Sequence, residues 1–104
     1  MKSAHEPGHL LVVDDNKVNR MLLSRGLEQQ GHRIDIAENG KQALEKLRAD
    51  SFDLVLLDIE MPEMNGYQVL EHLKADAELR HLPVIMISAV GEVESVVRCI
   101  ELGA

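Results

Sequence analysis

Three places in the chain set an acid or a hydroxyl directly after a run of aliphatic residues. Asp14-Asp15 follow Leu10-Leu11-Val12-Val13, Asp58 follows Leu54-Val55-Leu56-Leu57, and Ser88 follows Val84-Ile85-Met86-Ile87. Runs this short read as strands covered on both faces. A carboxylate at the end of a buried strand is poorly explained by packing, because burying a charge is costly unless it is paired or binds a cation. If the strands are parallel neighbours, Asp14, Asp15 and Asp58 share one crevice. Carboxylates crowded in this way are relieved near neutral pH by proton uptake or by a hard divalent cation. Magnesium is the natural candidate, since it favours oxygen ligands, retained waters and a phosphate oxygen, and the backbone carbonyl of Glu60 is placed to join the three acids. Beside a phosphate donor such a metal neutralises charge on the transferring group while Asp58, the best nucleophile, attacks in line. Carboxylates form acyl phosphates in known enzyme classes, and Ser88 is placed to hydrogen-bond the phosphoryl oxygens.

Each of these marks has a plainer reading when taken alone. Asp14-Asp15 would be a helix cap with first-turn charge, and Ser88 a strand-end turn residue. Their coincidence at three strand ends is what favours a site, so the elements that position them matter.

Residues 1–8 read as a flexible lead-in closed by Pro7-Gly8, with His5 and His9 solvated. Leu10 to Val13 is the first strand, and Asp15 or Asn16 caps a helix that runs to about Gln30 and stops at Gly31. Val18, Met21, Leu22 and Leu27 give that helix its apolar stripe. Arg33 to Ala37 alternates as an edge strand does, and Asn39-Gly40 reads as a turn. Ala43, Leu44 and Leu47 mark a second helix, with Glu45, Lys46 and Arg48 on its solvated face. After the central strand, Met61 to Gly66 is a loop punctuated by Pro62 and Asn65-Gly66. A third helix carries Val69, Leu70 and Leu73 inward and ends around Asp76. Pro83 opens the fourth strand, and Val93, Val96, Val97 and Ile100 mark a fourth helix ending at Leu102-Gly103, with Glu92 and Glu94 exposed. Strands alternating with helices imply right-handed crossovers and a parallel sheet covered on both faces. With the mixed strand outside and the first and third strands inside, the order is 2-1-3-4. The topological switch then falls between strands one and three, where ligands bind in such sheets.

With 104 residues and 45% hydrophobic content there is room for one globular domain. Phe52 and Tyr67 are the sole aromatics, and the net charge is -7, which argue against base stacking and against attraction to a phosphate backbone. A nucleic acid is not an expected direct partner. Cys99 stands alone, which excludes an intrachain disulfide and fits a reducing, cytoplasmic setting; it reads as a small buried hydrophobe. No apolar signal segment opens the chain and no run approaches membrane-spanning length, so a membrane is not an expected partner either. His32, His72 and His81 lack metal-ligand spacing and read as surface residues, and Met61 and Met64 as packing residues.

From about His9 onward the sequence resembles the receiver domain of bacterial two-component response regulators. The marks are Val12-Val13-Asp14-Asp15-Asn16, Leu56 to Gly66 around Asp58, Pro83-Val84-Ile85-Met86-Ile87-Ser88-Ala89, and Glu101-Leu102-Gly103-Ala104. The resemblance implies a flavodoxin-like doubly wound α/β domain over residues 9–104. It also implies that Asp58 accepts phosphoryl from a histidine kinase or histidine phosphotransfer protein and that the domain switches an output domain or effector. Asp14 and Asp15 match the magnesium-binding acids, Ser88 the switch hydroxyl and Ala89 the small residue beside the phosphorylation site. Asp14-Asp15-Asn16 with Asn19-Arg20 is similar to receivers in hybrid kinases and cyclase-linked proteins. Such a domain catalyses at most its own phosphoryl transfer and dephosphorylation.

The family's pattern continues beyond Gly-Ala with a fifth strand, a phosphoryl-contacting lysine and a fifth helix, which this sequence lacks; Lys74 and the other lysines match no such position. The chain is therefore expected to be a C-terminally incomplete receiver. Its fourth strand becomes an unpaired apolar edge open to self-association. The missing lysine keeps a second reading in view, a phosphorylation-independent docking module. A phosphohydrolase of the haloacid-dehalogenase type is a further alternative, but it needs a second aspartate where Glu60 stands. A nucleotide-binding domain lacks its glycine-rich loop after the first strand.

Overall fold

A computed structural model describes residues 8–87 of the chain. Ser88, Ala89, Cys99 and the expected fourth helix lie outside the described residues, as does the expected lead-in except Gly8. Within them the order is β1 (His9–Val13), α1 (Lys17–Gln29), β2 (Arg33–Ala37), α2 (Gly40–Ala49), β3 (Leu54–Asp58), α3 (Gly66–Ala75) and β4 (Val84–Ile87). The four strands form one parallel sheet in the order β2-β1-β3-β4, a flavodoxin-like α/β fold, as the distribution of apolar runs requires.

Because successive strand side chains point to opposite faces, each strand feeds two cores. Leu11, Val13, Val55 and Leu57 pack with Ala43, Leu44 and Leu47 of α2 and Val69 and Leu73 of α3. Leu10, Val12, Leu56 and Ile87 face the other way, against Leu23 and Leu27 of α1. The central strands are apolar over residues 10–13 and 54–57 because both faces are covered, whereas β2 at the edge exposes Arg33 and Ile36.

All three helices among the described residues start on an asparagine. Asn16 Oδ1 accepts from the amides of Val18 and Asn19, Asn39 Oδ1 from that of Gln42, and Asn65 forms a reciprocal capping box with Gln68. Asn39-Gly40 and Asn65-Gly66, which read as turn punctuation, are thus each a cap followed by the first helical residue. Gly31, at φ +93°, ends the first helical segment in the left-handed region, as expected of a glycine stop.

Two expectations are corrected. The buried face of α1 is Arg20, Leu23 and Leu27, while Val18, Met21 and Leu22 are exposed at 61%, 43% and 47%. Leu23 and Leu27 follow Arg20 by three and seven residues and so share its face; Val18 and Leu22 lie on the opposite side. His9 is not a solvated lead-in residue but the first residue of β1, its side chain 13% exposed. Its ring nitrogens lie 2.6 Å from Asp35 Oδ2 and 2.8 Å from the Ser51 carbonyl, and its ring stacks on Phe52 with centroids 4.1 Å apart. The His9 amide donates to Asp53 Oδ2 at 2.7 Å. His9 therefore clips β1 to β2 and to the loop before β3. His9→Ala is expected to lower the unfolding free energy by about 2 kcal/mol, one part ring stacking and one part hydrogen bonding, read by urea denaturation.

Candidate functional site

Register brings the acids together. Val13 pairs with Leu57 across β1 and β3, so the next step along both strands sets Asp14 beside Asp58 at their carboxyl ends. The Asp14 amide extends the ladder by donating to the Ala37 carbonyl at 3.1 Å, which keeps Asp14 in line with its strand. Asp14 is 2% exposed, and its Oδ1 accepts from the Asn16 amide at 2.8 Å. Asp15 is exposed, and Asp58 is partly buried, with Oδ1 accepting from the Glu60 amide at 3.2 Å. One carboxylate oxygen from each of Asp14, Asp15 and Asp58 lies within 4.8 Å of the others.

The electrostatic consequence falls on Asp58. Burial first, then the charge of Asp14, the hydrogen bond to its carboxyl and the charge of Asp15, push the Asp58 carboxyl up from 3.8 to about 7; the Glu60 amide pulls the other way. At neutral pH the cluster therefore holds more negative charge than it can comfortably carry. An all-oxygen set with this surplus fits Mg2+.

The loop and helix after β3 close over Asp58. Gly66, the first residue of α3, sits so tightly against the strand end that a Cβ there would meet the Asp58 carbonyl oxygen, and its amide donates to the Ile59 carbonyl at 2.9 Å. Met61 tucks into the core at 8% exposure, as its reading as a packing residue implied. Glu63 holds φ +67°, a left-handed conformation uncommon outside glycine.

The fold thus gathers Asp14, Asp15 and Asp58; Glu60 stands exposed beside them, its amide on Asp58. Ser88 and Ala89 lie outside the described residues, although Asp58 pairs with Ile87, the residue before Ser88. One residue missing from the sequence reading of the site is Arg20. It is 8% exposed, and its Nη1 donates to the Asp14 carbonyl at 2.7 Å. Its spacing to Leu23 and Leu27 is the sequence signal for that inward placement. A second group of possible ligands, His9, Asp35 and Asp50, lies at the opposite end of β1, where Asp50 Oδ2, 4.0 Å from His9 Nδ1, adds to the clip that His9 makes with Asp35.

No helix among the described residues is long and apolar enough to cross a membrane. Residues 10–104 match the response regulator receiver domain family. The two-component response regulator ORR3 of Oryza sativa is 38% identical over 105 residues, covering 99% of this chain and 80% of that protein. A probable cyclic di-GMP phosphodiesterase of Vibrio cholerae is 44% identical over 95 residues, covering 91% of this chain but 21% of that protein. In structure, the N-terminal domain of a response regulator receiver protein from Methanoculleus marisnigri superposes with a TM-score of 0.76 at 35% identity, over 88% of this chain and 79% of that one. Receiver domains of response regulators are generally signalling modules rather than enzymes. Family match, fold and acid cluster agree: the chain belongs to the response regulator receiver domains of two-component systems.

Proposed function

We propose that this receiver takes a phosphoryl group onto Asp58 from a phosphohistidine donor, a histidine kinase or a histidine phosphotransfer protein. The observation that carries the reading is the convergence of Asp14, Asp15 and Asp58 within 4.8 Å at the switch point of the sheet. Asp14, Asp15, Asp58 and the Glu60 carbonyl would hold Mg2+, which when bound neutralises charge on the transferring phosphoryl group. An Asp58 carboxylate oxygen attacks phosphorus as the N–P bond of the donor breaks, its electron pair returning to the imidazole nitrogen. The product is an acyl phosphate on Asp58. The ionised carboxylate is the nucleophile, so a group held near pH 7 is half spent as a base at neutral pH until the surplus charge is relieved. Ser88, one residue past the strand that pairs with Asp58, is proposed to hydrogen-bond the phosphoryl oxygens and switch an output, with Ala89 leaving room beside them.

Partner docking is supported by the exposed Val18, Met21 and Leu22 on α1, the helix that starts directly after the acid pair. The donor would approach over this apolar patch. The chain spans 80% of one curated relative and 21% of another, so the output it serves belongs to the proposal as well.

Intact mass before and after incubation with acetyl phosphate, with and without Mg2+, tests the reading. A single Mg2+-dependent phosphoryl adduct, absent from Asp58→Asn, is the expected result. An adduct that persists in Asp58→Asn overturns the assignment. Donor binding without any adduct would favour a phosphorylation-independent docking module.

A further inference from the structure

A buried guanidinium is costly unless its donors are used, and Arg20 directs one of them at the end of the strand that carries the acid pair. Nη1 donates to the Asp14 carbonyl at 2.7 Å, and Nη2 lies 3.7 Å from Glu38 Oε1 in the loop between β2 and α2. The same Asp14 is held by its amide on Ala37 and by its carboxylate on the Asn16 amide. What the strand ladder does not hold is the plane of the Asp14–Asp15 peptide. The carbonyl of Asp14 and the amide of Asp15 share one rigid plane, so fixing that oxygen fixes the direction in which the chain leaves for Asp15. Asp15, unlike Asp14, is exposed and needs such a constraint to stay near Asp58.

We propose that Arg20 is a positioning residue of the acid pocket. By holding the Asp14 carbonyl, and being itself aimed by Glu38, it keeps Asp15 turned toward Asp14 and Asp58. The inference rests on the divalent-cation reading of that pocket. It makes a prediction whose sign separates position from charge. Removing a cation beside a cluster of acids would, by charge alone, tighten binding of another cation. Loss of position instead weakens it, and outer supports of metal ligands typically change affinity by 10- to 100-fold.

The test uses Mn2+ as a spin-detected stand-in for Mg2+, with the wild type, Arg20→Gln, Arg20→Lys and Asp14→Asn. Arg20→Gln is expected to weaken Mn2+ binding about tenfold while the acetyl phosphate labelling rate at saturating metal stays within about threefold of wild type. Arg20→Lys keeps the charge but loses the two-pronged geometry and should fall between. In metal-free protein the amide resonances of Asp15 and Asn16 should shift in Arg20→Gln while that of Leu56 in the core does not. Unchanged or tighter Mn2+ binding in folded Arg20→Gln, or in Arg20→Lys if the glutamine variant fails to fold, overturns the proposal. If the wild type itself binds Mn2+ no better than Asp14→Asn, it is the cation reading that fails; the metal-free Asp15 shift then decides Arg20's positioning role alone.

Discussion

Asp58→Asn is expected to abolish phosphoryl labelling and, in metal-free protein above neutral pH, to make the fold more stable. The first effect follows from losing the proposed nucleophile, since an amide cannot form the acyl phosphate. The second follows from linkage. Asp58 stays protonated up to about pH 7 in the fold but titrates near its ordinary 3.8 when the chain unfolds. The folded state thus binds more protons between those values. Its stabilising contribution is complete below about pH 3.8 and is lost as pH rises through about 7. Asparagine has no such proton to lose. With the partial exposure of the group discounting the effect, the variant should exceed wild type by about 1 to 2 kcal/mol at pH 8 and match it near pH 4. Millimolar Mg2+ should narrow or reverse the gap, because a cation that binds only the folded wild type raises its stability by mass action, about 2.7 kcal/mol at a hundredfold excess over Kd. Urea denaturation across this pH range, with EDTA and with Mg2+, reads both. Parallel pH profiles for the two proteins would show that the acids do not burden one another.

The same cluster explains why so much of the site was legible in the sequence. Strand runs of four aliphatics identify themselves, and parallel strands put every residue that follows such a run at the same edge of the sheet. Asp14 and Asp58 needed only the order 2-1-3-4 to meet. What escaped were placements set by packing between elements. On α1 the apolar residues fall on two faces, Val18, Met21 and Leu22 on one and Leu23 and Leu27 on the other, so a stripe of Val18, Met21, Leu22 and Leu27 mixes the two and periodicity alone does not choose between them. The answer buries Arg20 and exposes three hydrophobes. His9 carried no pattern at all: its partners Asp35, Ser51 and Phe52 come from two other segments. Asn39-Gly40 and Asn65-Gly66 were ambiguous for another reason. Asparagine suits both a turn and an N-cap, and only the helix that follows decides between them.

Gly66→Ala should be the most destabilising single-methyl change at the site, at about 3 kcal/mol. The cost is one of space, because the added carbon would meet the Asp58 carbonyl oxygen and lie 2.9 Å from Ile59 Cα, both backbone atoms that cannot swing aside. Gly31 is the control of opposite kind. At φ +93° with nothing within 4 Å of a Cβ, it is needed for conformation alone, and Gly31→Ala should cost about 1 kcal/mol. Gly31→Asn should recover part of that, since asparagine tolerates the left-handed region, whereas Gly66→Asn should be worse than Gly66→Ala. The two glycines also differ in reach. Relief of the clash at Gly66 requires α3 to back away from β3 or the Asp58 peptide to turn, and either disturbs the carboxylate and the Glu60 amide that it accepts from. Divalent-cation affinity should therefore fall in folded Gly66→Ala and stay unchanged in Gly31→Ala. Equal stability losses at the two positions, or wild-type cation affinity in Gly66→Ala, would mean that the start of α3 is free to move without the acid pocket, and that the tight seat of this helix on β3 serves packing alone.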